Sequence, residues 1–330
     1  MVDTRIDVIG IGNAIVDVLG HADDGFLREH ELAKGSMTLI DAERADRLYG
    51  AIKPVTECSG GSAANTIAVL SSLGGNSAFV GKVRDDALGD VFRRDIESMG
   101  IAFPVAPLTE GPTTGRCVIL VTPDAERTMN TYLGASAELS PEDIDTDQIA
   151  ESQVTYLEGY LWDPPKAKEA FIKAARAAHQ AGRLVSLSLS DRFCVTRHRD
   201  EFLMLVRDHV DVLFANEDEV MTLYNAETFD EALQIVRGHC GIAALTRGAR
   251  GSIVVSGNEV HVLDAPSLGG VVDTTGAGDA YAGGFLYGLT QGHTLANCGR
   301  IGGIAAAEVI SHFGARPGRS LKDLVRSRLG

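Results

Sequence analysis

An α/β protein with a mostly parallel central sheet and a small β lid is predicted by three features of the sequence. From Pro141 onward, short apolar runs of strand length alternate with longer runs at helical spacing, the rhythm of right-handed βαβ units with helices on both faces. Between Phe103 and Leu133 that rhythm gives way to short strands broken by turn chemistry, Thr109-Glu110-Gly111-Pro112 and Pro123-Asp124-Ala125-Glu126-Arg127. The composition agrees, since 330 residues, 45% hydrophobic and 23% charged, suffice for one large α/β domain with a small accessory sheet.

In chain order, Ile6-Asp7-Val8-Ile9-Gly10-Ile11-Gly12 reads as a buried strand, followed by an extended run, Asn13 to Leu19, that carries one acid, Asp17. An acid in an apolar alternation needs a partner, either a structural hydrogen bond or a ligand hydroxyl. Gly10-x-Gly12 suggests a dinucleotide site, yet Ile15 stands where the third glycine is required and no helix opens there. Met37 to Ile40 forms a short strand, and Asp41 caps a helix to about Ile52. Gly60 and Gly61 then turn into a helix whose Ile67, Leu70 and Leu73 keep core spacing, with Asn65 within reach of a ligand at the turn. Gly75 to Lys82 imitates a Walker A loop, but the glycine spacing is one residue too long and Val83 replaces the required hydroxyl. The segments about 14–20, 36–40 and 103–133 together suit a lid within a single domain spanning 1–330, the alternative being an edge meander with no part in closure.

Val154 to Leu157 is a strand, Pro164 to Ala181 a helix with Phe171, Ala174, Ala175 and Ala178 on one face, and Leu184 to Leu189 a strand. Asp211 to Phe214 and Ile242 to Leu245 are further strands, separated by helices at about 217–224 and 229–237. Ligands of such sheets bind beyond the carboxyl ends of the strands. Asn216-Glu217-Asp218-Glu219 follows one such end and reads either as a magnesium site through Glu219, directly or through water, or as dipole-favoured acids at a helix start. Thr246-Arg247-Gly248-Ala249-Arg250-Gly251 follows another, as a nucleotide-contacting turn or a hairpin with exposed arginines. The tail with Arg316, Arg319, Lys322, Arg326 and Arg328 reads as a solvated helix.

A formal net charge of -15 argues against nucleic acid as the main partner. Five scattered cysteines without a C-x-x-C pair indicate neither zinc nor a disulfide framework and suit a reducing cytoplasm. No basic leader precedes an apolar run and no stretch approaches about 18 apolar residues, so no membrane association is expected.

The most informative stretch is Val271-Val272-Asp273-Thr274-Thr275-Gly276-Ala277-Gly278-Asp279-Ala280-Tyr281-Ala282-Gly283-Gly284-Phe285. A short apolar run ends in hydroxyls and glycines before helical spacing resumes, so Thr274 or Thr275 is placed to cap the helix and the glycines to turn N–H groups toward an anion. Asp279 falls in the first helical turn, where dipole and N–H groups should lower its pKa. A carboxylate beside an anion cradle suits phosphoryl transfer to a hydroxyl.

The string from Asp273 to Phe285 closely resembles the C-terminal signature of the ribokinase-like (PfkB) family of sugar and nucleoside kinases, and the chain resembles that family from about Ile6 to Pro317. Ile11 to Asp17, Gly60-Gly61-Ser62-x-x-Asn65 and Arg127-Thr128-Met129-Asn130-Thr131-Tyr132-Leu133-Gly134 look most like its adenosine kinase branch. The resemblance implies a three-layer α/β/α core with a β lid, and ATP with Mg²⁺ as cofactors. Asp279 would be the base and the Gly276, Ala277 and Gly278 N–H groups the anion hole. Asn13, Asp17, Gly61, Ser62 and Asn65 would lie around the ribose. Ile15, Met37, Leu39 and Met129 would face the nucleobase, with Tyr160 or Trp162 beside them. Asn216, Thr246, Arg247, Gly248 and Gly251 would serve the nucleotide, Glu219 the Mg²⁺, and Asp273 with Thr275 a monovalent cation such as K⁺. The expected reaction is transfer to a primary hydroxyl of a ribosyl substrate, adenosine first. A sugar kinase of the same family and a catalytically silent nucleoside-binding sensor are the alternatives, and both monomer and homodimer stay open.

Overall fold

Alternation along the strands decides the layering. In the computed structural model, which describes residues 6–124 and 126–329, the chain runs through β1 (Ile6–Ile11), β2 (Ile15–His21), β3 (Met37–Leu39), β4 (Thr56–Gly60), β5 (Ser77–Val80), β6 (Gly115–Val121), β7 (Arg127–Tyr132), β8 (Ser152–Glu158), β9 (Leu184–Ser188), β10 (Val212–Asn216), β11 (Ile242–Thr246), β12 (Ser252–Ser256) and β13 (Glu259–Leu263). The large sheet has the order β13-β12-β11-β10-β9-β8-β1-β5. It is parallel from β5 to β11, with β12 and β13 antiparallel at one edge.

Successive residues serve opposite cores, as a period of two requires. Ile9, Leu157, Leu187 and Leu213 pack with Phe171, Phe202, Val220 and Leu233 from helices Pro165–Gln180, Arg192–His209, Glu217–Tyr224 and Phe229–Val236. Val8, Tyr156, Val212 and Phe214 pack on the other side with Ile67, Phe92 and Phe285 from helices Ser62–Leu73, Ala87–Ser98 and Ala277–Thr290. Each such buried side chain contributes about 1.5–3 kcal/mol by transfer alone. The predicted three layers are present.

The second sheet, β3-β7-β6-β2-β4, is the expected small sheet. Its Val118 and Leu120 bury against Leu27 and Leu48 from helices Asp24–Glu29 and Ala42–Ala51, the latter capped by Asp41 as expected. Several assignments differ from the sequence reading. Thr56–Gly60 is a strand, although its polar, glycine-ending sequence reads as a turn. The start of the expected 103–133 lid segment runs instead beside β5 and the residues that follow it, with bridges from Ala78 to Ala102 and from Arg84 to Leu108. Val271 and Val272 are exposed and outside any strand. Met1 to Arg5 and Ala125, the centre of a predicted turn, lie outside the described residues. No described helix is long and apolar enough to cross a membrane.

Candidate active site

Two helices bring the site together because one of them has no side chain where they touch. A Cβ on Gly283 would sit 2.4 Å from the Thr66 carbonyl oxygen, so helices Ala277–Thr290 and Ser62–Leu73 approach backbone to backbone there. One turn nearer both N-termini, Ser62 Oγ donates to Asp279 Oδ1 at 2.6 Å and Asn65 Nδ2 to Oδ2 at 3.1 Å. Arg316 fixes that amide, its Nε donating to Asn65 Oδ1 at 2.9 Å and its Nη2 to the Ser59 carbonyl at 2.7 Å. Ser62 and Asn65 therefore hold the candidate base, a role the sequence reading assigned to substrate. Burial between these elements pushes the Asp279 pKa up, against the lowering effects of Ser62, Asn65 and Arg316. The expected downward shift is thereby reversed: desolvation of the carboxylate outweighs the helix terminus.

The anion loop forms, with a different cap. Gly276 is the N-cap at φ +75°, and a Cβ there would lie 2.6 Å from Ala315 Cβ, so backbone and space both demand glycine. Neither threonine caps the helix: Thr275 Oγ1 donates instead to Asp273 Oδ1 at 2.7 Å, and Ala277 N donates to the Thr274 carbonyl at 3.2 Å. That leaves the Gly276 and Gly278 N–H groups without partners among the described residues, and the space beside Gly278 is open.

Asp273 does not fit a monovalent-cation site. Its Oδ1 accepts from both the N–H and the hydroxyl of Thr275, and its Oδ2 from Gly314 N at 3.0 Å and Arg127 Nη1 at 2.8 Å. All four acceptor positions of the carboxylate are taken, and the Arg127 guanidinium already supplies the positive charge. Both side chains are only 8% exposed, so this pair ties lid strand β7 to the anion loop. Arg127 Nε and Nη2 remain buried without partners.

Register places the proposed acceptor residues on one face of the lid. One row across the sheet is Cys58, Asp17, Cys117, Thr131 and Leu39; the next is Thr56, Leu19, Ile119, Met129 and Met37. Ile15 shares this face and joins Cys117, Ile119, Leu19, Met129 and Leu133 in an apolar cluster. Met37 and Leu39 are 46% and 54% exposed, which marks an apolar wall left open to an occupant. The Asp17 side chain makes no hydrogen bond to the described residues, and a Cβ on Gly60 would touch its carboxyl at 2.4 Å. Burial pushes its pKa up to about 6, against Arg316 and Arg127, with Asp279 adding to the rise.

Other assigned residues are placed differently. Asn13 is 1% exposed, with its amide spent on Glu158 and Ser136, so it is not available to a ligand. Gly61, at φ +98°, packs on the Asn13 carbonyl, where a Cβ would come within 2.2 Å. Tyr160 is partly buried, its hydroxyl donating to the Ser190 carbonyl and its N–H to Ser190 Oγ, so neither group belongs to the lid wall. Trp162 is buried against Phe171 and Phe202, away from the lid.

At the carboxyl edge of the large sheet Asn216 and Thr246 are register partners. Asn216 and Glu219 form a reciprocal cap: Glu219 N donates to Asn216 Oδ1 at 2.9 Å, while Asn216 N and Nδ2 donate to the two Glu219 oxygens at 2.9 and 2.6 Å. Glu219 is buried, which raises its pKa to about 7, and direct ligation of a metal by it would break this cap. Thr246 to Ser252 is a hairpin, with Arg247 over the Phe229 ring at 4.4 Å and Gly248, at φ +58°, facing open space. Gly251 serves the hairpin itself, since a Cβ would strike the Leu263 carbonyl at 1.9 Å. A separate groove of about 560 Å³ lined by Trp162, Lys168, Lys173 and Met204 shares none of these residues.

Two functional candidates escaped the sequence reading. Arg316 is no solvated tail residue, and Arg127 was visible only as part of a longer motif. Neither arginine carries a periodic signal, because each stands in a polar segment whose neighbours set no face.

With this geometry in place, comparison with known proteins is decisive on family. Residues 34–321 match the pfkB family carbohydrate kinase description. The chain belongs to that family. The adenosine kinase from Sinorhizobium meliloti superposes with a TM-score of 0.91 at 51% identity, covering 98% of this chain and 100% of that one. A probable sugar kinase protein from Rhizobium etli CFN 42 gives 0.91 at 49%, covering 98% and 99%. Aminoimidazole riboside kinase of Salmonella typhimurium is 30% identical over 73% of this chain and 76% of that protein. This PfkB kinase is thus a phosphotransferase with an alcohol acceptor, acting on a sugar or nucleoside, and its family implies ATP as donor, usually with Mg²⁺.

Proposed function

We propose that the protein is an adenosine kinase, transferring the γ-phosphoryl group of ATP to the ribose 5'-hydroxyl. The observation that carries this reading is the open apolar wall of Ile15, Leu19, Met37, Leu39, Ile119 and Met129 beside Asp17. A free sugar has hydroxyls around its ring and gains little from such a wall, whereas a nucleobase buries a flat, weakly polar face on it. Similarity to the Sinorhizobium meliloti adenosine kinase supports the same acceptor.

In this reading Asp17, free of protein hydrogen bonds, accepts from ribose hydroxyls and orients the sugar. Asp279, held by Ser62 and Asn65, aligns the 5'-hydroxyl. The bond from the acceptor oxygen to the γ-phosphorus forms as the bond to the β,γ-bridging oxygen breaks, and the acceptor proton passes to Asp279. The raised Asp279 pKa makes it a better proton acceptor than an exposed aspartate, and a loose transition state asks for transfer only late. Gly276 and Gly278 N–H groups face the negative charge of the transferring group, and the Arg127–Asp273 pair ties the lid strand to the loop that carries them. Asn216, Thr246 and Gly248 line the nucleotide side. Bound Mg²⁺ would supply charge neutralisation on the phosphates, and Glu219, whose two oxygens complete the Asn216 cap, would hold it through water.

The test is coupled ADP release with adenosine and ribose as separate acceptors. Adenosine-dependent release that ribose does not match is the expected result. Preference for ribose would favour the sugar kinase reading, and tight adenosine binding without ADP release would favour the silent sensor.

A further inference from the structure

Glu158 ends β8 at the centre of the parallel sheet and is 1% exposed. Its Oε1 accepts from Asn13 Nδ2 at 2.6 Å and its Oε2 from Ala63 N at 2.8 Å. Asn13 Oδ1 in turn lies 2.9 Å from Ser136 Oγ, whose single proton is shared with the Leu133 carbonyl at 2.6 Å. These residues mark the places where the chain passes between core and lid. Asn13 lies between β1 and β2, Ala63 follows the exit from β4, and Ser136 follows the exit from β7. The remaining passage, into β6, is tied to the last of these by Ala135 N donating to the Thr113 carbonyl at 2.9 Å.

Space is reserved for the arrangement. A Cβ on Gly12 would lie 2.3 Å from Glu158 Oε2, which accounts for the second glycine of the Gly10-x-Gly12 pair that no dinucleotide explains. The Asn13 amide presents N–H to one Glu158 oxygen and the backbone at Ala63 presents N–H to the other, so the Glu158 side chain accepts from both sides. Ala63 also follows Ser62 directly and precedes Asn65 by two residues, and those two hold Asp279.

We infer that Glu158 is a positioning residue, a buried clasp that fixes the lid's crossings to the core and sets the start of helix Ser62–Leu73 against Asp279. Lid orientation and base orientation then share one anchor. The link to catalysis rests on the kinase reading above; the link to the lid does not.

The experiment compares amide hydrogen exchange in the lid (residues 15–21, 115–121 and 127–132) and core (212–216 and 242–246) of wild type, E158L and E158Q, together with acceptor and ATP KM. E158L removes both acceptors and leaves the Asn13 and Ala63 N–H groups buried without partners, so lid exchange and acceptor KM are expected to rise by about tenfold while core exchange and ATP KM hold. E158Q keeps an acceptor for Ala63 N and can rejoin Asn13 once that amide reverses with Ser136 Oγ accepting, so it is expected to stay near wild type. Unchanged lid exchange in E158L overturns the inference, as does a rise spread equally over lid and core. Should E158L not fold, N13A removes one link alone: raised lid exchange in N13A supports the clasp, and unchanged lid exchange overturns it. Because exchange needs no turnover, loss of the kinase reading would leave this arm intact.

Discussion

Asp279 and Asp17 are two carboxylates on opposite walls of one cleft, given different work by their partners. Asp279 is held by two donors, so Asp279→Asn should leave binding largely intact and cut kcat by roughly 10²- to 10⁴-fold, read from steady-state kinetics. Near-normal turnover would remove it from the mechanism. Asp17 has no protein donor and a pKa raised to about 6, so ionisation through that region should strengthen hydroxyl binding. Acceptor KM is expected to fall as pH rises through about 6 while ATP KM stays level, and Asp17→Asn should abolish that dependence; an unchanged profile would assign the trend elsewhere. Both acids were legible in the sequence because each interrupts a pattern, one an apolar alternation and the other a glycine-rich loop. Their shifts were not, since desolvation depends on the opposite wall, which arrives from more than 200 residues away along the chain.

The helix pair packed at Gly283 connects this chemistry to packing. Gly283→Val forces the two backbones apart where a Cβ already has no room, with an expected loss of about 1–3 kcal/mol in denaturant unfolding and a lower kcat through the displaced Ser62–Asp279 contact. Stability lost with full kcat retained would separate the packing from the site. A second link is the Arg127–Asp273 pair between lid strand and anion loop. Because it occupies the carboxylate, replacing K⁺ by Na⁺ should leave kcat unchanged, whereas Arg127→Ala should lower kcat and create stimulation by K⁺. Strong stimulation of the wild type by K⁺ would contradict the occupied site. Strands and helices with clear apolar periodicity, such as Pro165–Gln180, were readable in the sequence. Helix Arg192–His209 was not, for it is rich in charge and breaks its helical geometry at His198. Strand Thr56–Gly60 was missed because pairing with β2, not its own residues, makes it a strand.

Across the molecule, several buried acids share one sign. Asp17, Glu158 and Glu219 have pKa values raised to about 6, 7 and 7, and Asp279 is raised as well. The folded chain therefore binds more protons than the unfolded chain between about pH 4 and 7, and stability falls as pH rises through that window. A net charge of -15 adds repulsion in the same direction as acids ionise. The melting temperature without ligand should be higher at pH 6 than at pH 8, by calorimetry, even as acceptor binding improves; the reverse order would show that groups of opposite sign, such as His209 with its pKa lowered by burial, dominate instead. The layered core, the lid and the reaction class could be read from sequence periodicity and one loop, whereas the acceptor depends on which lid face meets the cleft, a matter of register. The most direct test of the central claim is coupled ADP release over adenosine, inosine, guanosine, ribose and fructose. The account expects kcat/KM for adenosine to exceed that for ribose or fructose by at least about 10²-fold. Ribose or fructose turned over as well as adenosine would contradict it.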